Sequence, residues 1–89
     1  MAKFVMWGSY CEDALEKRTP YRADHLAGLQ SQKDSGVLLS LGPTMDNTKV
    51  LGIYEADDQA TVRKLIEKDP YWQNSIWIEY ELYAWNQVF

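Results

Sequence analysis

Hydrophobic positions along this chain switch between a period of two and a helical period, and the switches mark out its elements. Phe4 to Tyr10 (FVMWGSY) is a short apolar run of strand length. Residues 11–18 are mixed and charged, and read as a loop containing a turn of helix. Thr19-Pro20 then reads as an N-cap followed by proline at the first helical position, opening a helix that runs to Asp34. Gly36 supplies its left-handed stop. Val37 to Leu41 is a second strand, ended by Gly42-Pro43. Residues 44–48 (TMDNT) make a polar turn with Asp46-Asn47 at its corner, so Lys49 to Ala56 returns as a third strand in a hairpin. Asp57 or Asp58 caps a second helix, which ends at Asp69 because Pro70 disfavours helical geometry in the residue before it. Trp77 to Trp85 is the last strand.

The order β-α-β-β-α-β is the split βαβ, or ferredoxin-like, pattern. It predicts an α+β fold: a four-stranded antiparallel sheet with two helices on one face. In strand four, Ile76, Ile78, Tyr80, Leu82 and Ala84 take one side, and Trp77, Glu79, Glu81, Tyr83 and Trp85 the other. In strand one, Phe4 and Met6 oppose Val5 and Trp7; in strand three, Val50 and Tyr54 oppose Leu51 and Ile53. Both faces are therefore substantially apolar, as in a sheet covered on both sides. One chain supplies helices for only one side. The simplest second cover is another copy, sheet against sheet, in a two-fold homodimer.

Size and composition narrow the class. Eighty-nine residues make a single domain spanning 1–89. Hydrophobic residues at 46% and charged residues at 25% exclude disordered and fibrous chains. A formal charge of −4 and a pI near 4.8 argue against a nucleic-acid partner, which needs clustered Lys and Arg. No apolar run approaches the roughly 20 residues of a membrane span, and the first residues lack a secretory signal. Cys11 stands alone and cannot form an internal disulfide, so it reads as an incidental thiol and the expected home is cytoplasmic. One histidine without a second or a cysteine pair is too few for zinc, so no metal and no cofactor is expected.

Candidate chemistry lies on the helices. Arg22, His25, Leu26 and Leu29 fall at i, i+3, i+4 and i+7, so the histidine shares the inward stripe with leucines. Val62, Leu65, Ile66 and Asp69 repeat the spacing, which turns a carboxylate inward at a helix C-terminus, where the macrodipole disfavours negative charge. Such a group needs a partner. The topology brings the start of the first helix and the end of the second to the same edge of the sheet, so His25 and Asp69 are expected to meet. The ends of strands one and two, Trp7 to Tyr10 and Gly42-Pro43, and the start of strand four belong to that edge too. A histidine held by a carboxylate at one nitrogen can move a proton with the other near neutral pH. Arg22 could hold an anionic group of a small-molecule ligand. On spacing alone the bland readings stay open: a satisfied core histidine, a helix-stopping Asp-Pro, a solvated arginine and a strand-ending Gly-Pro turn.

These residues also carry a resemblance. Leu15-Glu16-Lys17-Arg18, Arg22 with His25-Leu26 and Leu29, Gly36 through Pro43 (GVLLSLGP), Glu55-Ala56-Asp57, Asp69-Pro70-Tyr71 and the closing Trp85 to Phe89 run in order along nearly the whole chain. Together they resemble the YciI-like (YCII-related) family, whose fold is the dimeric α+β barrel form of the ferredoxin-like fold. The resemblance implies a His-Asp active site at His25 and Asp69; around it Arg22, Trp7, Gly42 and Tyr71 are the residues expected to contact the substrate. It implies proton transfer, isomerisation or elimination on a small carboxylate or lactone; one family member is linked to dehydrohalogenation. A non-catalytic ligand-binding or interaction module is the alternative. Two features depart from the family. The turn between strands two and three is short, and Trp72-Gln73-Asn74-Ser75 stands where small residues and a glycine are usual.

Overall fold

Short-range signals set the frame of the computed structural model, which describes residues Met1–Phe89. Strand β1 (Ala2–Tyr10) leads through a four-residue helix α1 (Ala14–Lys17) and a 3-10 turn (Thr19–Tyr21) into α2 (Arg22–Asp34). Strands β2 (Leu38–Pro43) and β3 (Lys49–Ala56) form the hairpin. Helix α3 (Gln59–Lys68), a short α4 (Pro70–Gln73) and strand β4 (Trp77–Trp85) complete the chain. The sheet is antiparallel throughout, in the order β2-β3-β1-β4. This is the ferredoxin-like α+β arrangement expected from the element order.

Each end signal has a visible cause. Gly36 adopts φ 87°, and its N–H and that of Val37 reach back to the carbonyls of Lys33 and Gln32, closing α2 in a Schellman motif. In the hairpin turn, Asp46 Oδ1 accepts from both the amide and the hydroxyl of Thr48, while Asn47 takes the left-handed conformation. Those hydrogen bonds, with one from the Thr44 hydroxyl, lower the Asp46 pKa. Asp58 caps α3 by accepting from the Thr61 amide at 2.8 Å. The start of α2 differs from expectation. Thr19 makes no capping hydrogen bond, and Pro20 instead fixes a 3-10 turn from which α2 begins at Arg22.

Burial alternates along the central strands. Phe4 and Met6 from β1, Val50, Tyr54 and Ala56 from β3 and Leu82 from β4 are buried beneath the helices, with Val62 and Ile66 of α3 above them. Helix α2 is different: His25 is its only buried residue, and Leu26 is 44% exposed. On the opposite sheet face Trp7, Leu51, Tyr83 and Trp85 remain 39–50% exposed.

One expected face assignment is overturned. Between β1 and β4 the register steps from Ser9↔Glu79 to Tyr10↔Trp77, so Ile78 is an extra residue on the β4 side. A bulge reverses the in-out phase of everything beyond it. Trp77 therefore turns under the helices, 1% exposed, rather than lying with Glu79 and Glu81, and Ile78 is pushed out to 53%.

Candidate active site

Proline explains how Asp69 is aimed. It closes α3 in an extended conformation (φ −64°, ψ 135°), as a residue before proline must, and Pro70 then occupies the first position of α4. Asp69 is thus the last residue of one helix and the N-cap of the next. Its Oδ1 accepts from the Tyr71 amide at 2.8 Å. The same oxygen lies 2.7 Å from Nδ1 of His25, one turn into α2. Both side chains are nearly inaccessible, at 5% and 3%. A carboxylate only accepts, so Nδ1 carries the hydrogen and neutral His25 keeps its lone pair on Nε2. Nε2 has no hydrogen-bond partner within the chain.

Aromatic rings hold the imidazole in place. Tyr71 stacks on it with centroids 3.5 Å apart and planes 5° from parallel. Trp77 meets it edge-on at 5.2 Å and contacts Tyr71 edge-on at 5.7 Å. Trp77 is available for this only because of the bulge at Ile78. Its buried indole N–H lies toward the Tyr10 hydroxyl without closing a hydrogen bond of good geometry. Burial raises the pKa of Tyr10 and of Tyr71, and the Arg18 guanidinium opposes the rise at both. Arg22 opposes it at Tyr71 as well.

The residues singled out in the sequence fall into two groups. His25, Asp69 and Tyr71 are in contact, and Arg22 lies close enough for its charge to act on Tyr71. Trp7 and Gly42 are elsewhere. Both pair with Leu51 on the sheet face away from the helices, where they line a depression of about 320 Å³ with Ser40 and Pro43. The topology places Tyr10 and the start of strand four at this edge without giving either a role, and the sequence assigns none to Trp77, whose facing is hidden by the bulge, or to Arg18, whose charge acts on Tyr71. The larger cavities lie away from the pair. One of about 570 Å³ runs between α2 and β2 along Leu26, Leu29, Leu38 and Leu41. Another of about 410 Å³ borders Tyr10, Cys11 and Ala14 and is fringed by Glu12, Asp13, Glu16 and Asp46. No three His, Cys, Asp or Glu side chains converge as metal ligands.

Residues 2–86 match the model of the YCII-related domain. The chain belongs to the YCII-related family. Solved structures show the same fold. The structure of 5-chloro-2-hydroxyhydroquinone dehydrochlorinase (TftG) from Burkholderia phenoliruptrix AC1100, in complex with 2,5-dihydroxybenzoquinone, superposes with a TM-score of 0.80 at 24% identity. The match covers 94% of this YCII-related chain and 93% of that one. An antibiotic biosynthesis monooxygenase superposes at 0.59 with 12% identity, covering 99% of both chains. A NIPSNAP domain protein from Burkholderia xenovorans superposes at 0.57 with 16% identity, covering 99% of this chain and 95% of that one. At such identities the likeness is one of fold. No curated protein matches the chain.

Proposed function

We propose that this YCII-related protein is a small-molecule enzyme in which His25 moves a proton and Asp69 orients its ring and stabilises the imidazolium. The observation that carries the reading is the buried 2.7 Å contact between Nδ1 and Asp69, with Nε2 free of any protein partner. A neutral imidazole fixed in that tautomer offers Nε2 as a general base. Nε2 takes a proton from a carbon or hydroxyl of a small, oxygenated, unsaturated substrate. The electron pair left behind moves into the adjacent unsaturation. In an isomerisation the imidazolium returns the proton at a second carbon; in an elimination a leaving group departs as its anion. Neither course needs a redox partner or a cofactor. Arg22 holds an anionic group of the substrate, and Tyr71 forms a wall of the site. The likeness to TftG supports a hydroxylated ring as the substrate class, and the working unit in this reading is a homodimer closed through the open sheet face.

The test is turnover of chlorinated hydroquinones, unsaturated lactones and small carboxylates by the wild type and by His25→Ala. Loss of the base is expected to lower kcat/KM by about 10²- to 10⁴-fold on whichever compound is turned over. An unchanged kcat/KM removes the catalytic role. A second reading, a ligand-binding module without chemistry, is favoured by how completely Tyr71 and Trp77 cover His25, which is 4% exposed. NMR titration of the imidazole separates the two. A midpoint that moves with Asp69→Asn and with ligand supports the enzyme, and a ring silent to both supports the module.

A further inference from the structure

We propose that Ser9, Glu79 and Lys49 form a second reactive centre, on the sheet face away from the helices, in which the Ser9 hydroxyl takes the acyl group of small activated esters. This centre shares no residue with the His25–Asp69 pair and does not depend on it.

Outside its aromatic side chains the protein buries three polar residues, His25, Asp69 and Ser9. The first two satisfy each other. Ser9, 7% exposed, is held instead between charges of opposite sign. Its Oγ donates to Glu79 Oε1 at 3.0 Å and accepts from Lys49 Nζ at 2.7 Å. One other hydroxyl stands between a cation and a carboxylate, that of Tyr80 with Arg63 and Glu67, but it is a phenol in an exposed network. Ser9 is the aliphatic hydroxyl of the chain that is buried, flanked by both charges and bordered by a cavity.

The backbone fixes this arrangement. Strand β1 runs between β3 and β4, and Ser9 stands directly opposite Lys49 on one side and Glu79 on the other. Three side chains of one rung of the sheet therefore meet on the same face. The register step at Ile78 follows at once, between Ser9 and Tyr10, so the rung lies beside the one irregularity in the pairing of β1 with β4. Groups carried on paired strands are held more closely than groups on loops. A cavity of about 130 Å³ opens onto the rung, with Trp7 as its apolar wall and the exposed Glu79 and Glu81 at its mouth. Its size suits a short acyl group.

A serine hydroxyl becomes a nucleophile when a neighbouring base takes its proton as it attacks. Glu79 Oε1 already accepts that proton's hydrogen bond. As Oγ bonds to the ester carbonyl carbon, the proton passes to Glu79, and the Lys49 ammonium against Oγ stabilises the charge that develops. Collapse breaks the bond from that carbon to the leaving oxygen, which departs with the proton from Glu79. Water then attacks the acyl-serine, its proton passes through Glu79 to Oγ, and the carboxylic acid is released.

The probe is 4-nitrophenyl acetate, followed by release of 4-nitrophenolate and by peptide mass. The wild type is expected to give a burst approaching one equivalent per chain and to carry an acetyl group on Ser9. Ser9→Ala should abolish the burst, leaving slow acetylation of surface lysines. Glu79→Gln and Lys49→Met should each slow acetylation of Ser9 by about 10²-fold or more. Methanesulfonyl fluoride tests the wild type without any variant. Oγ displaces fluoride, and the sulfonyl group is expected on Ser9 in preference to Ser31, Ser35, Ser40 and Ser75. Any one of three results overturns the centre: no adduct on Ser9 with either probe, a burst that Ser9→Ala retains, or acetylation of Ser9 at the wild-type rate in both Glu79→Gln and Lys49→Met.

Discussion

Asp69 carries two structural duties with one oxygen, and that sets what its replacement should do. Oδ1 accepts from the His25 ring and from the Tyr71 amide, at 2.7 and 2.8 Å. Asp69→Asn keeps an oxygen that can cap α4 but loses the charge that favours the imidazolium. Asp69→Ala loses both. With the pair at 5% and 3% exposure, Asp69→Ala is expected to cost on the order of 3 to 5 kcal/mol of stability, as breaking a buried pair does. Asp69→Asn should cost about 1 to 3 kcal/mol while lowering kcat/KM far more than stability alone explains. Urea unfolding of both variants, beside turnover of Asp69→Asn, checks this; equal unfolding midpoints for all three proteins would contradict it. Asp69 was legible in the sequence because a carboxylate in the inward phase of a helix demands a partner. Its second duty was signalled only by the following proline, which reads equally as a stop and as the first residue of a new helix. Nothing local marked Trp77 as a wall for His25, because its facing depends on a register step between two strands.

At the scale of elements, the extents of β3, α3 and β4 followed directly from hydrophobic period and capping residues, but phase did not. The bulge at Ile78 is set by pairing with β1, seventy residues away in sequence, and a single-strand pattern cannot show it. The same pairing explains Gly8. A Cβ there would lie 2.9 Å from the Glu79 carbonyl oxygen and 3.1 Å from Val50 Cγ1, so β1 can sit between β3 and β4 at this level only without a side chain. The nearest obstacle is backbone of the bulged segment, which cannot turn aside as a flexible side chain would. Gly8→Ala is therefore expected to destabilise by roughly 1 to 3 kcal/mol, the range for overpacking a filled interior. It should also loosen β4 where Trp77 meets His25. Chemical denaturation gives the first number, and amide exchange across residues 76–80 reports the second. An alanine variant as stable as the wild type would mean that the strands separate freely here.

The whole molecule presents an imbalance that neither residues nor elements resolve by themselves. Helices cover one face of the sheet, and the other displays Trp7, Leu51, Tyr83 and Trp85 at 39–50% exposure. Polar groups frame this patch in defined positions: Lys3 pairs with Glu55 at 3.0 Å, and Ser9 accepts from Lys49 at 2.7 Å while donating to Glu79 at 3.0 Å. An apolar centre with a hydrogen-bonded rim is how a protein interface is organised. Alternation in β1 and β3 made this face visible in the sequence, whereas the bulge moved Trp77 off it and Ile78 onto the outside. Covering about 500 Å² of apolar surface contributes on the order of 12 kcal/mol gross at 25 cal/mol per Å², of which association costs remove a large share. A micromolar dimer takes about 8 kcal/mol net, so pairing through this face draws on its polar rim as well as its apolar centre. Sedimentation velocity should therefore give twice the chain mass for the wild type. Leu51→Glu places a charge at the centre of the patch without touching the helix side of the sheet, and should sediment as a folded monomer with unchanged far-ultraviolet circular dichroism. A wild type that sediments as a monomer, or a Leu51→Glu variant that stays dimeric, would show that a second copy does not cover this face.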